Sequence, residues 1–160
     1  MAQSAKERIG VVGSGVMGRG IVQLFAVAGH DVWLHDSREG AIEEALGFID
    51  GLLERLVAKG RLSQEEREAT LARIHPSDGL DGLAGCDLLI EAIVENLEAK
   101  QALLRQLEEV VASEAILASN TSSLSVTRLA SACRHPERVA GYHFFNPVPL
   151  MKIVEVVRGE

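Results

Sequence analysis

His143 is the side chain in this sequence best suited to moving a proton. It closes a strand candidate, Arg138 to His143, and is followed by Phe144-Phe145-Asn146-Pro147. A histidine in such a place is either a core residue with a satisfied hydrogen bond or a general acid/base with a tuned pKa. Its candidate partner is Glu155, in the last strand candidate, Lys152 to Val157. The loop carrying Pro147 and Pro149 lets the two strands fold side by side. A carboxylate next to His143 would fix the imidazole tautomer and make the other nitrogen more basic. The plainer role for Glu155 is an exposed strand position. Ser122, in the polar loop Asn120-Thr121-Ser122-Ser123, can exchange a hydrogen bond with a substrate oxygen or serve as an N-cap or turn serine.

A second kind of chemistry is written into the backbone. Ile9 to Val12 is a short apolar run that meets Gly13-Ser14-Gly15-Val16-Met17-Gly18, with glycines spaced G-x-G-x-x-G. A helical apolar pattern follows, then a second run, Val32 to Leu34, that ends in Asp36. This is the order of a dinucleotide site. Gly13 permits the tight turn, Gly15 lets a pyrophosphate approach the backbone, and Gly18 lets helix and strand pack closely. The free N–H groups of the helix N-terminus favour an anion. Asp36 lies 21 residues past Gly15, where a carboxylate accepts hydrogen bonds from the ribose hydroxyls and repels a 2′-phosphate. The expected cofactor is therefore NAD rather than NADP, although Arg38 stands close by. Glu95 and Lys100, near a helix start, either reach the cofactor ribose or are solvated. Lys59 either meets a phosphate or interacts with the dipole of the helix it closes.

The elements that position these groups can be read from periodicity. The 160 residues suffice for one domain with a core. Hydrophobic residues make up 47% and aromatics only 4%, so that core rests on Leu, Val, Ile and Ala. A net charge of −7 argues against nonspecific nucleic-acid binding. Met1 to Arg8 lacks the apolar centre of a signal peptide, and no apolar run approaches the ~18 residues of a membrane span. Cys86 and Cys133 have no metal-ligand spacing, so no metal is expected; they read as reduced thiols of a cytoplasmic protein.

Apolar steps of three and four predict a long helix over Glu39 to Lys59. Ser63 and Glu66 form a capping box for a second helix running to about Arg73. This pair occupies a place where a plain nucleotide-binding fold has one crossover helix. It either contacts a large substrate or is a structural elaboration. Further strands are expected at Ile74 to Ser77, Cys86 to Ile93 and Ile116 to Ser119, with helices over Leu97 to Ala112 and Ser125 to Cys133. Asp78-Gly79 and Asp81-Gly82 read as turns. The alternation predicts an α/β fold: a doubly wound, mostly parallel, Rossmann-type sheet with an inserted helical hairpin at about Glu39–Arg73. In such sheets ligands bind beyond the carboxyl ends of the strands. The glycine turn, Asp36, Glu95, Asn120–Ser123 and His143–Asn146 all follow such ends and together form one rim.

Four stretches together resemble the NAD-binding domain of the L-3-hydroxyacyl-CoA dehydrogenases, a family that includes 3-hydroxybutyryl-CoA dehydrogenases. They are Gly13-Ser14-Gly15-Val16-Met17-Gly18, Glu91-Ala92-Ile93-Val94-Glu95-Asn96, Ser119-Asn120-Thr121-Ser122-Ser123-Leu124 and His143 through Met151. The resemblance covers nearly the whole chain. It implies oxidation of a 3-hydroxyacyl-CoA to the 3-ketoacyl-CoA, with His143 as base and Glu155 as its orienting partner. Ser122 would contact the substrate C3 oxygen and the nicotinamide end. The glycine loop with Ser14, Val16 and Met17, together with Asp36, Glu95, Lys100 and Asn146, would contact NAD. The hairpin would help hold coenzyme A, with Lys59 the best candidate contact; its other expected contact falls on Leu52, which cannot hydrogen-bond. Family members continue into a helical second domain that completes the site and forms a homodimer. The expectation is therefore that residues 1–160 are the cofactor half of a longer enzyme, bind NAD, and turn over slowly or not at all alone. The competing readings are a dehydrogenase of a small hydroxy acid or sugar acid, and a non-catalytic NAD-binding module.

Overall fold

The first strand, β1 (Ile9–Val12), is a run of small and β-branched residues buried on both faces, as the centre of a parallel sheet requires. The computed structural model describes residues 6–160. The part of the signal-peptide reading that rests on residues 1–5 lies outside the described residues. After β1 come α1 (Val16–Val27), β2 (Val32–His35), α2 (Ala41–Ala58), α3 (Gln64–Ala72) and β3 (Ile74–Pro76). The second half holds β4 (Leu88–Glu91), α4 (Leu97–Val110), β5 (Ile116–Ser119), α5 (Val126–Ala130), β6 (Val139–Phe144) and β7 (Val154–Arg158).

The seven strands form one sheet in the order β3-β2-β1-β4-β5-β6-β7. All neighbours run parallel except β6 and β7, which are antiparallel. This is the expected doubly wound sheet, with the order reversing beside β1. Alternation along the strands feeds two cores. Ile9 and Val11 pack with Ile21 and Val22 of α1 and with Ala45, Ile49 and Leu53 of α2. Val12 and Leu89 turn to the other face, against Leu104 and Leu107 of α4 and Leu129 of α5.

The inserted hairpin is α2 and α3. Ser63 caps α3 as the sequence predicts: its side chain accepts from the Glu66 amide at 3.0 Å, while Glu66 accepts from the Ser63 amide at 2.7 Å. Arg67 of α3 donates to Asp50 of α2 at 2.7 Å, closing the hairpin side on.

Several boundaries contract relative to the sequence reading. β4 is shorter than Cys86 to Ile93. Asp87 is spent holding the Arg8 backbone, and the Ile93 amide donates to the Glu91 side chain rather than to a strand. α5 stops at Ala130 because the next turn tightens: Cys133 N–H reaches the Ala130 carbonyl, three residues back. Leu80–Leu83, read as a turn at Asp81-Gly82, is a short 3-10 helix. β7 begins at Val154 rather than Lys152, and every one of its residues is exposed. Among the described residues β7 pairs with β6 alone, so it forms an edge of the sheet. No helix among the described residues is long and apolar enough to cross a membrane.

Candidate active site

The glycine turn and β2 frame a cleft of about 510 Å³ at the carboxyl end of the sheet, lined by Gly13, Ser14, Gly15, Asp36, Ile93, Val94 and Leu103. Gly13 has φ +98°, a conformation that L side chains rarely adopt. A Cβ on Gly18 would stand 1.7 Å from the Gly13 carbonyl oxygen, so backbone meets backbone there. At Gly15 nothing lies within 4 Å of a built Cβ; the space in front of it is open. Helix α1 starts at this opening with no side-chain cap, whereas α3, α4 and α5 are capped by Ser63, Asn96 and Ser125. Its first N–H groups are thus left for an anion. Val16 is exposed at 56%, while Met17 packs partly into the core.

Asp36 closes the cleft and ties it together. Its Oδ2 accepts from the Ser14 amide at 2.8 Å and the Ser14 hydroxyl at 2.7 Å, and its Oδ1 accepts from the Arg38 amide at 2.9 Å. Partial burial pushes this carboxyl up, but the Arg38 amide, the Ser14 hydroxyl and amide, and the Arg38 guanidinium outweigh it. The net result lies below the ordinary aspartate value. A carboxylate offers about four acceptor positions, so three protein donors leave room on Oδ1 for a ribose hydroxyl. An uncapped helix, an open glycine and an ionised acid with acceptor capacity to spare fit an adenine dinucleotide.

The second half of the rim lies across the sheet. The β6–β7 ladder sets His143 opposite Glu155, and His143 Nδ1 lies 3.2 Å from Glu155 Oε2. An ionised carboxylate only accepts, so Nδ1 is the donor in this pair, and in the neutral ring the lone pair falls to Nε2. The imidazole is 20% exposed and rests against the Phe145 ring, with centroids 4.4 Å apart. Among the described residues Nε2 has no protein hydrogen bond. In the Asn120–Ser123 loop, local capping falls to other side chains. Thr121 Oγ1 accepts from the Leu124 amide at 3.0 Å and donates to Glu95, and Ser125 caps α5. Ser122 is exposed and has none of these duties. Asn146 is exposed on the loop after β6.

Lys100 departs from expectation. Expected either to contact the cofactor or to be solvated, it is instead only 1% exposed, with Nζ at 2.9 and 2.8 Å from the two carboxylate oxygens of Glu91, itself 0% exposed. Ser119 also donates to Glu91. Burial pushes the Glu91 carboxyl above its ordinary range, and Lys100, Ser119 and the Ile93 amide pull it part of the way back. The physical reason for the placement is helical phase: Lys100 lies on the same stripe of α4 as Leu104 and Leu107, which pack into the core. Lys59 is exposed at the end of α2, and Leu52 is partly buried. Neither lines the cleft.

The buried Glu91–Lys100–Ser119 group was not foreseen, although a signal was present. Glu91 interrupts an apolar strand, and nine residues on a lysine occupies the apolar stripe of the next helix. Two opposite charges on two buried faces call for each other. The Asn120 side chain was likewise given no role by sequence reasoning. Its oxygen accepts from the Phe144 amide at 2.9 Å.

Residues 8–160 match the family model described as 3-hydroxyacyl-CoA dehydrogenase, NAD binding domain. A 3-hydroxybutyryl-CoA dehydrogenase of Clostridioides difficile is 44% identical over 153 residues, 96% of this chain and 54% of that protein. The crystal structure of a (S)-3-hydroxybutyryl-CoA dehydrogenase from Ralstonia eutropha superposes with a TM-score of 0.93 at 40% identity, covering 97% of this chain and 55% of that one. A 3-hydroxybutyryl-CoA dehydrogenase structure from Escherichia coli K12 gives 0.93 at 45% identity, over 96% and 32% of the two chains. The chain thus spans about half, or less, of the length of the relatives it matches. With its glycine turn, its acid at the end of β2 and its paired histidine on one rim, the chain belongs to the family of 3-hydroxyacyl-CoA dehydrogenase NAD-binding domains.

Proposed function

We propose that this chain is the cofactor-binding and base-bearing half of an enzyme that interconverts 3-hydroxyacyl-CoA and 3-ketoacyl-CoA. The observation that carries the reading is the His143–Glu155 register: a carboxylate held on Nδ1 leaves Nε2 to act as the base, at the same carboxyl-end edge of the sheet as the dinucleotide cleft. Bound NAD would supply the acceptor for the hydride that leaves C3. His143 Nε2 takes the hydroxyl proton, and Glu155 stabilises the imidazolium that forms. Ser122 has its hydroxyl free to hold the C3 oxygen. Gly13, Ser14, Gly15, Val16, Met17 and Gly18 cradle the pyrophosphate, Asp36 holds the ribose, and Glu95 and Asn146 flank the nicotinamide end. Lys59 meets a coenzyme A phosphate. The complete enzyme carries a helical second domain through which it forms a homodimer, and it works in the cytoplasm. The names of the relatives support the acyl-CoA substrate, and their greater length supports a further domain.

The test compares the chain with His143→Gln. NADH binding is followed by the emission of Trp33, whose strand ends beside Asp36, and both proteins are expected to bind alike. Oxidation of (S)-3-hydroxybutyryl-CoA is then measured with enzyme in excess, so that slow turnover is still read. Loss of the base lowers the rate by about 10²–10⁴-fold. Equal rates would leave an NAD-binding module without acid/base chemistry. Faster oxidation of the free hydroxy acid than of its CoA ester would point to a small-acid dehydrogenase.

A further inference from the structure

The ladder between β5 and β6 ends too early to hold His143. Its register runs Leu117↔Val139, Ala118↔Ala140 and Ser119↔Gly141, and there it stops. On the other side β7 continues through His143↔Glu155 and Phe144↔Val154. Past Gly141, the β5 side of β6 therefore has no strand, and the last turn of backbone before the active-site loop would be held from one edge only. Asn120 fills this gap. Its own amide donates to the Glu91 carbonyl at 3.0 Å, which continues the β4–β5 ladder by one step. Its side-chain oxygen then accepts from the Phe144 amide at 2.9 Å. An N–H can only donate, so the carboxamide oxygen is the atom that faces Phe144. The Phe144 ring is buried at 3% exposure and lies edge-on to Phe25 and Tyr142, so this backbone cannot slide without moving the core.

We infer that Asn120 is a positioning residue for His143: its side chain replaces the missing ladder bond and sets the imidazole against the Ser122 loop. The two groups proposed to act on the same oxygen sit on different strands. Ser122 is two residues after Asn120, and His143 is one residue before Phe144. The Asn120–Phe144 bond is the direct link between the two segments, so it fixes the distance at which a substrate oxygen meets both. The inference rests on the function proposed above for its catalytic readout, and on the hydrogen bond alone for its structural one.

The experiment uses Asn120→Ala and Asn120→Asp in this chain. The aspartate keeps an acceptor toward Phe144 and adds a charge. Four quantities are read: protection of the Phe144 amide against hydrogen exchange, the NMR titration of the His143 ring, the rate of (S)-3-hydroxybutyryl-CoA oxidation, and NADH affinity. For Asn120→Ala, Phe144 protection is expected to fall at least about tenfold, and the His143 titration to move. The rate should drop by about tenfold or more, because small misplacements of a reacting group are costly, while NADH affinity stays within about twofold. Asn120→Asp restores Phe144 protection and recovers most of the rate. The inference is overturned if Asn120→Ala loses Phe144 protection yet leaves the His143 titration and the rate as they were. It is also overturned if Asn120→Asp restores protection without restoring the rate. If His143→Gln proves as active as the parent chain while Asn120→Ala still shifts the His143 titration, the proposed reaction fails and the positioning role stands.

Discussion

Replacing Lys100 with methionine tests the interior of this domain more sharply than any change on the rim. The substitution keeps an unbranched side chain, one atom shorter and with a thioether in place of a methylene, and removes the amine. Glu91 is then left at 0% exposure with Ser119 and the Ile93 amide as its remaining donors. Breaking a buried pair from one side costs about 3–5 kcal/mol. The carboxyl has an escape, since it can take up a proton. At pH 7 that costs about 3.7 kcal/mol for a glutamate of ordinary pKa ~4.3, at about 1.36 kcal/mol per unit, so the loss is capped near this figure. At pH 6 the same cap falls to about 2.3 kcal/mol. The sign follows from linkage: without Lys100 the folded-state pKa of Glu91 rises further above its unfolded value. Its contribution is therefore fully present below the unfolded pKa and is lost as pH rises. For a domain of this size each kcal/mol moves the melting temperature by about 2–4 °C. Lys100→Met should thus melt about 7–15 °C below the parent chain at pH 7 and about 5–9 °C below it at pH 6. Thermal melts by circular dichroism read both, and adding Glu91→Gln should recover much of the loss at either pH. A deficit that is the same at both values would refute the internal ion pair. A melting point that does not move, with weakened NADH binding, would place the Lys100 amine on the cofactor instead.

The glycine turn separates fold from binding. Gly18→Ala drives a methyl group into the Gly13 carbonyl and should cost at least about 1–3 kcal/mol, whereas Gly15→Ala, built into open space, should melt like the parent and lose NADH affinity; a stable Gly18→Ala or a tight-binding Gly15→Ala would overturn the assignment. Asp36→Asn removes the charge that Ser14 and Arg38 hold, and hydrogen bonds to a charged group are worth about 1.5–3 kcal/mol each. Because the Asp36 pKa is lowered, its contribution is present above the unfolded value of 3.8 and is lost as pH falls through the folded one; urea titrations of Asp36→Asn and parent should differ at pH 7 and converge in acid, and the preference for NADH over NADPH should shrink.

How much of this was legible depended on whether a signal was local. Ile9 to Val12 followed by three spaced glycines is a strand, a turn and a helix start within ten residues, and it folds so. The Ser63–Glu66 capping box spans four residues and is present atom for atom. The partnership of His143 and Glu155 was readable because the intervening loop permits antiparallel strands, which fix a register. Lys100, expected near the cofactor from its place at a helix start and from the resemblance, is buried because helical phase sets it in line with Leu104 and Leu107. The Asn120–Phe144 bond was invisible. It depends on where a ladder ends, and that is decided by the packing of two strands far apart in sequence.

The edge strand β7 has a consequence for how the chain behaves in solution. Val156 is 68% exposed on this strand and Ile153, just before it, 62%, and the outer edge of the strand pairs with no other strand among the described residues. Such an edge invites a second copy to add its own strand, and charged side chains are the usual guard against it. Lys152, Glu155 and Arg158 are the guards available here. Glu155 therefore has two duties, one toward the His143 imidazole and one toward colloidal stability. In the proposed function an apolar replacement at this position is expected to alter solubility and proton transfer together, so light scattering must accompany any rate measured on it.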